Sequence, residues 1–129
     1  MPIVEDDVKK AMESWLKERG YSSVQPRFGT KRGYDVEGIH PATNARLVIE
    51  CKGEARIGDQ WHRSWGNVAT AILTSINEIE NPGNRNNVGI ALPDTKQYRE
   101  RMNLLQNFCR REEISVFWVS RKGVVVQWE

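Results

Sequence analysis

Two acids and a lysine stand near the middle of the chain, in Gly33-Tyr34-Asp35-Val36 and Ile49-Glu50-Cys51-Lys52-Gly53. On an extended strand side chains alternate between faces, so Val48, Glu50 and Lys52 share one face while Leu47, Ile49 and Cys51 share the other. A carboxylate and an ammonium therefore adjoin at the end of an otherwise apolar strand. In most proteins an isolated E-x-K is a solvated strand end or a self-neutralising pair. The preceding strand changes the balance. If the intervening hairpin is centred between Ala42 and Thr43, residues whose numbers sum to 85 lie opposite each other. Asp35 then faces Glu50, with Cβ atoms about 5 Å apart; a small slip makes the pair diagonal. Like charges that close destabilise a sheet unless a cation joins them or one acid is protonated. A hard divalent cation suits carboxylate oxygens, and Mg²⁺ commonly takes one or two carboxylates plus water and substrate phosphate. Lys52 is the fixed positive charge beside it.

The elements that must position these residues follow from periodicity. A first helix is predicted from about Val4 to Arg19, with Val8, Ala11, Met12, Trp15 and Leu16 at helical spacing, acids in the first turn and Gly20 as the stop. Strands follow at about Val24–Phe28, Tyr34–Ile39 and Arg46–Lys52, separated by Gly29–Gly33 and by His40–Asn44. A long helix from Asp59 to Glu80 is expected to bury Trp61, Trp65, Val68, Ile72, Ile76 and Ile79. Val88–Leu92 reads as a buried strand, and Pro93-Asp94-Thr95 opens a helix with Tyr98, Met102, Leu105, Phe108 and Cys109 inside. Ile114–Val119 and Val124–Trp128 close the chain as strands. The order α-β-β-β-α-β-α-β-β predicts an α/β fold, a mixed central sheet flanked by helices. The long helix is a crossover, which makes the fourth strand parallel to the third.

Composition bounds the rest. The chain has 129 residues, enough for one domain spanning 1–129. Net charge is only +2, so a nucleic-acid partner has to be met by a local basic patch. No apolar run reaches the roughly 20 residues of a membrane span. The opening Met1–Asp7 lacks the basic and apolar regions of a signal peptide, and Cys51 and Cys109 lack metal or paired-cysteine spacing. The expected setting is the reducing cytoplasm. Glu5 lies at the rim of the first helix's apolar face, where it either looks toward the acid pair or only complements the helix dipole.

Together these pieces resemble the PD-(D/E)XK nuclease superfamily, with its restriction-endonuclease-like three-layer fold. The likeness is to Mrr-type restriction nucleases and archaeal Holliday-junction resolvases. It rests on a helix carrying Glu5, the strand with Asp35, Glu50-Cys51-Lys52 on the next strand, and a Trp-rich helix beginning near Gln60. The resemblance implies that Asp35 and Glu50 hold Mg²⁺, with Mn²⁺ as a substitute. The backbone carbonyl of Cys51 is implied as a further ligand, Lys52 as the group that orients or activates water, and Glu5 as the helix acid. Tyr34 replaces the proline that names the motif, and Gly66-Asn67 stands where several relatives carry Gly-Gln.

The implied partner is DNA. For its phosphates the candidates are Arg27, Lys31 and Arg32 around the first hairpin, and Arg56 and Arg63 after the E-x-K strand, with Gln60 as a polar neighbour. For each, ordinary solvated charge competes, and the stripe Gln60, Arg63, Asn67 is expected opposite the long helix's apolar face. Trp61 and Trp65 follow the core spacing and are expected to pack rather than stack on bases. A domain this small cuts both strands only as a pair or by repeated visits, so the expected assembly is a homodimer. Two rival readings stand beside the nuclease. One is a catalytically silent nuclease-fold module for nucleic-acid binding or assembly, and the other is a structural ion-pair cluster in an unrelated α/β domain.

Overall fold

The structure is a computed structural model that describes residues 2–128. Helix α1, Glu5–Glu18, opens with Glu5, Asp6 and Asp7, which complement the positive end of its dipole. It ends in a Schellman turn, with Gly20 N–H donating to Lys17 O and Tyr21 N–H to Leu16 O, both at 3.1 Å. That geometry needs the left-handed backbone of Gly20, φ +82°. The buried face of α1 is Val8, Lys9, Met12 and Leu16. A lysine inside an apolar stripe is anomalous.

Strands β1, Ser22–Pro26, β2, Val36–Ile39, and β3, Arg46–Cys51, form an antiparallel meander. Helix α2, Gln60–Glu80, crosses over to β4, Asn87–Pro93, which lies parallel to β3. Helices α3, Lys96–Met102, and α4, Gln106–Arg111, precede β5, Ile114–Val119, parallel to β4; β6, Val125–Gln127, closes antiparallel. The result is α/β, with one mixed six-stranded sheet in the order β1-β2-β3-β4-β5-β6. Side-chain alternation divides its core. Val36, Ile49, Cys51 and Phe117 pack with α1, whereas Ile90, Leu92, Val116 and Trp118 pack with α2, α3 and α4. Among the described residues no helix is long and apolar enough to cross a membrane.

The β2–β3 register is Val36↔Ile49, Glu37↔Val48, Gly38↔Leu47 and Ile39↔Arg46, so every pair sums to 85 as the hairpin centre requires. The turn is held by His40 N–H to Ala45 O and Asn44 N–H to His40 O, with Asn44 at φ +60°.

Three expectations are corrected. The first strand lies two residues earlier than Val24–Phe28, at Ser22–Pro26, and carries an irregularity where Ser23 adopts φ +52° and the register shifts between Ser22 and Gln25. The single third helix is two, broken by a 3-10 turn over Asn103–Leu105. The third correction concerns which face of α2 is buried: Ser64, Val68, Ala71 and Ser75 face the core, while Trp61 and Trp65 are 43% and 62% exposed. Small serines let the helix sit close, and their hydroxyls donate back to Trp61 O and Ala71 O, so no polar group is stranded.

Candidate active site

The site forms where β2 begins and β3 ends. Asp35 directly precedes β2, and continuing the register places it across from Glu50. Asp35 Oδ2 accepts the Cys51 N–H at 2.8 Å, which locks the aspartate over the end of β3. The Glu50 carboxyl is near enough to feel the negative charge of Asp35. Lys52 Nζ lies 3.3 Å from Glu50 Oε2, and all three side chains are partly buried. Burial, followed by the negative charge of Asp35, pushes the Glu50 carboxyl up to about 7; Lys52 pulls it down but does not win. Burial beside a second acid therefore makes the charged form of Glu50 costly in the absence of a cation.

A second ammonium, absent from the sequence reading, closes the other side. Lys9 Nζ, 1% exposed, lies 3.1 Å from Glu5 Oε2 and 3.7 Å from both Asp6 Oδ1 and Asp35 Oδ1, and it donates to Arg27 O at 2.7 Å. Glu5 and the Arg27 carbonyl take its hydrogen bonds, and Asp6 and Asp35 add negative charge at longer range. Although burial opposes its charge most strongly, the hydrogen bond it donates to Glu5 and the charges of Asp35, Glu5 and Asp6 together raise the ammonium's pKa above its ordinary value. Glu5 thus reaches the site through Lys9. The sequence signal was present: Lys9 is four residues after Glu5 and adjoins Val8 on the inward face.

Beyond Lys52 the chain turns through Gly53, where an added Cβ would overlap the backbone of Val4 and Glu5. Only glycine lets the end of β3 run flat against the start of α1. Glu54 and Ile3 exchange hydrogen bonds, N–H to Ile3 O at 2.7 Å and Ile3 N–H to Glu54 Oε1 at 2.9 Å. The Gly53 carbonyl accepts from Tyr98 Oη at 2.7 Å and from Asn67 Nδ2 at 3.2 Å. Asn67 therefore faces inward, contrary to the solvent position expected for it. Beside this knot opens a cavity of about 350 Å³, lined by Glu5, Gly53, Glu54, Arg56, Arg63 and Asn67 among others.

The structure thus brings together Asp35, Glu50 and Lys52, with Glu5 held at one remove. Arg56 and Arg63 flank the adjoining cavity. Gln60 is turned to the loop, its amide pairing with both the N–H and the carbonyl of Ala55. Arg27 is not available to a phosphate, because its guanidinium is 2.6 Å from Glu37 Oε2 and donates to Tyr34 O at 3.0 Å. Lys31 and Arg32 are exposed on the loop that precedes Asp35. The Cys51 thiol packs into the α1 cluster, so any ligation from that residue falls to its backbone. Among the described residues no three His, Cys, Asp or Glu side chains converge as a metal cage. Two neighbouring carboxylates still match the one or two that Mg²⁺ asks of a protein, although the cavity adjoins them without being lined by either. No family model, curated protein or solved structure matches the chain.

Proposed function

We propose that this chain is a divalent-cation-dependent endonuclease of the PD-(D/E)XK type acting on DNA. The observation that carries the reading is the β2–β3 register, which continues to set Asp35 across from Glu50, with Lys52 3.3 Å from Glu50. Asp35 and Glu50 hold Mg²⁺, for which Mn²⁺ substitutes. When bound, the cation supplies Lewis acidity toward a phosphodiester oxygen and lowers the pKa of water. Lys52 orients the water and offsets the negative charge that develops at phosphorus. Arg56 and Arg63 meet backbone phosphates on the cavity side. Lys9 fills the space between Glu5 and Asp35, so the site takes one cation, and Glu5 serves as counter-ion to the lysine.

The rival reading, a structural ion-pair cluster, draws support from the two lysines already facing the acids. Against it stands the register, which sets Asp35 across from Glu50 while, among the described residues, only Lys52 lies beside Glu50, at 3.3 Å. The deciding experiment is a cleavage panel over linear, nicked, branched and single-stranded DNA with and without Mg²⁺. Cation-dependent cutting that disappears in both Asp35→Asn and Lys52→Ala supports the nuclease. Cutting by either variant at the wild-type rate refutes the assignment, and absence of cutting combined with calorimetrically silent Mg²⁺ and Mn²⁺ favours the ion-pair cluster.

A further inference from the structure

The outer face of α2 is built unlike the solvent face of α1. Along α1 the exposed positions are Asp7, Lys10, Ser14, Lys17 and Glu18, nearly all charged. Along α2 from Ser64 to Asn77 no residue is charged, and the exposed positions are Trp65, Gly66, Ala69, Thr70, Leu73, Thr74 and Asn77. These recur as one stripe at helical spacing. Next to the stripe, Leu104 on the 3-10 turn is 90% exposed and Leu73 is 59% exposed. Between them runs a groove of about 500 Å³, floored by Val68, Ile72, Ile76 and Leu105. Its one charged lining residue, Arg101, donates to Trp61 O at 2.7 Å and stacks 3.7 Å from the Trp61 ring centroid.

We propose that this face docks a second copy of the same chain about a two-fold axis. The charge pattern selects that occupant. In an isologous contact residues near the axis meet their own twins, so any charge there repels itself. A helix face without charge over 14 residues, Ser64 to Asn77, meets this condition. Nucleic acid is disfavoured because it requires cations, and Arg101 is already held by Trp61. Area supports the same choice. The exposed parts of Trp61, Trp65, Leu73 and Leu104 amount to on the order of 500 Å², against roughly 800 Å² per partner in a standard interface. The small polar positions of the stripe supply the remainder. Leu104 also provides the protruding side chain that the groove of the other copy accepts, and tryptophan is a favoured anchor at such contacts.

The inference stands apart from the nuclease reading, and its test uses neither metal nor DNA. Sedimentation equilibrium of the full chain is expected to give a reversible dimer with a Kd of about micromolar or tighter. Leu73→Glu and Leu104→Glu each place a charge in the contact from both copies and weaken the dimer by ~100-fold or more. Circular dichroism stays unchanged, since both leucines are exposed. Val124→Glu, a control at another exposed apolar position, leaves the dimer intact. A wild type that stays monomeric into the high micromolar range overturns the proposal. So does a dimer that survives both leucine variants, or one that Val124→Glu dissociates equally.

Discussion

Replacing Glu50 by glutamine is expected to make the metal-free protein more stable while abolishing its chemistry. The unfolded carboxyl titrates near 4.5 and the folded one near 7, because burial and Asp35 disfavour its charge. Between those values the folded state holds more protons than the unfolded state, so wild-type stability falls as pH rises from about 4.5 to 7 and then levels. Each pH unit of that interval is worth about 1.4 kcal/mol, so the full penalty above pH 7 is about 3 kcal/mol. Glutamine keeps the shape, never ionises, and can donate a hydrogen bond to Asp35. After relaxation of the neighbours, the variant gains roughly 1–3 kcal/mol at pH 8 and about a quarter of that at pH 5. For a chain this size that is roughly 3–5 °C in Tm per kcal/mol. Thermal unfolding at both pH values, with and without Mg²⁺, is the assay. Added Mg²⁺ should raise the wild-type Tm by mass action and leave the variant unmoved. A variant less stable at pH 8, or an equal difference at pH 5 and pH 8, refutes the reasoning.

Other perturbations follow from the same site. Lys9→Met leaves Glu5, Asp6 and Asp35 without their shared cation and is expected to cost about 3–5 kcal/mol in urea denaturation. Glu5→Gln removes only a counter-ion, so Mn²⁺ titration followed by electron paramagnetic resonance should still give one bound ion with affinity within about twofold. Gly53→Ala drives a methyl group into the α1 backbone and should lower stability by several kcal/mol, since backbone there cannot yield cheaply. Arg56→Ala combined with Arg63→Ala should weaken DNA binding at low salt and flatten the salt dependence by about two counter-ions, measured by fluorescence anisotropy.

The hairpin and the placement of its two acids were legible because they depend on local counting. A turn centred between Ala42 and Thr43 fixes every pair along β2 and β3, and strand alternation then puts Asp35 and Glu50 together. The parallel crossover was legible for a similar reason, since a long helix between two strands leaves few alternatives. Lys9 escaped because hydrophobic periodicity scores only apolar residues, and its burial depends on Asp35 and the Arg27 carbonyl, both remote in sequence. The rotation of α2 escaped because Trp61 and Trp65 outweigh two serines on any hydrophobic scale, although small residues are what close packing against a sheet requires. Arg27 looked like a phosphate ligand until Glu37, on the neighbouring strand, was seen to hold it.

The reciprocal hydrogen bonds between Ile3 and Glu54 carry a practical consequence for anyone expressing this protein. They deliver the leading residues to the rim of the cavity that Glu5, Arg56 and Arg63 surround. An affinity handle fused ahead of Ile3 would emerge at that mouth, where on the proposed nuclease reading it would compete with DNA and lend its own histidines to any added metal. Purification handles therefore belong after β6, three strands away from β3 in the sheet order.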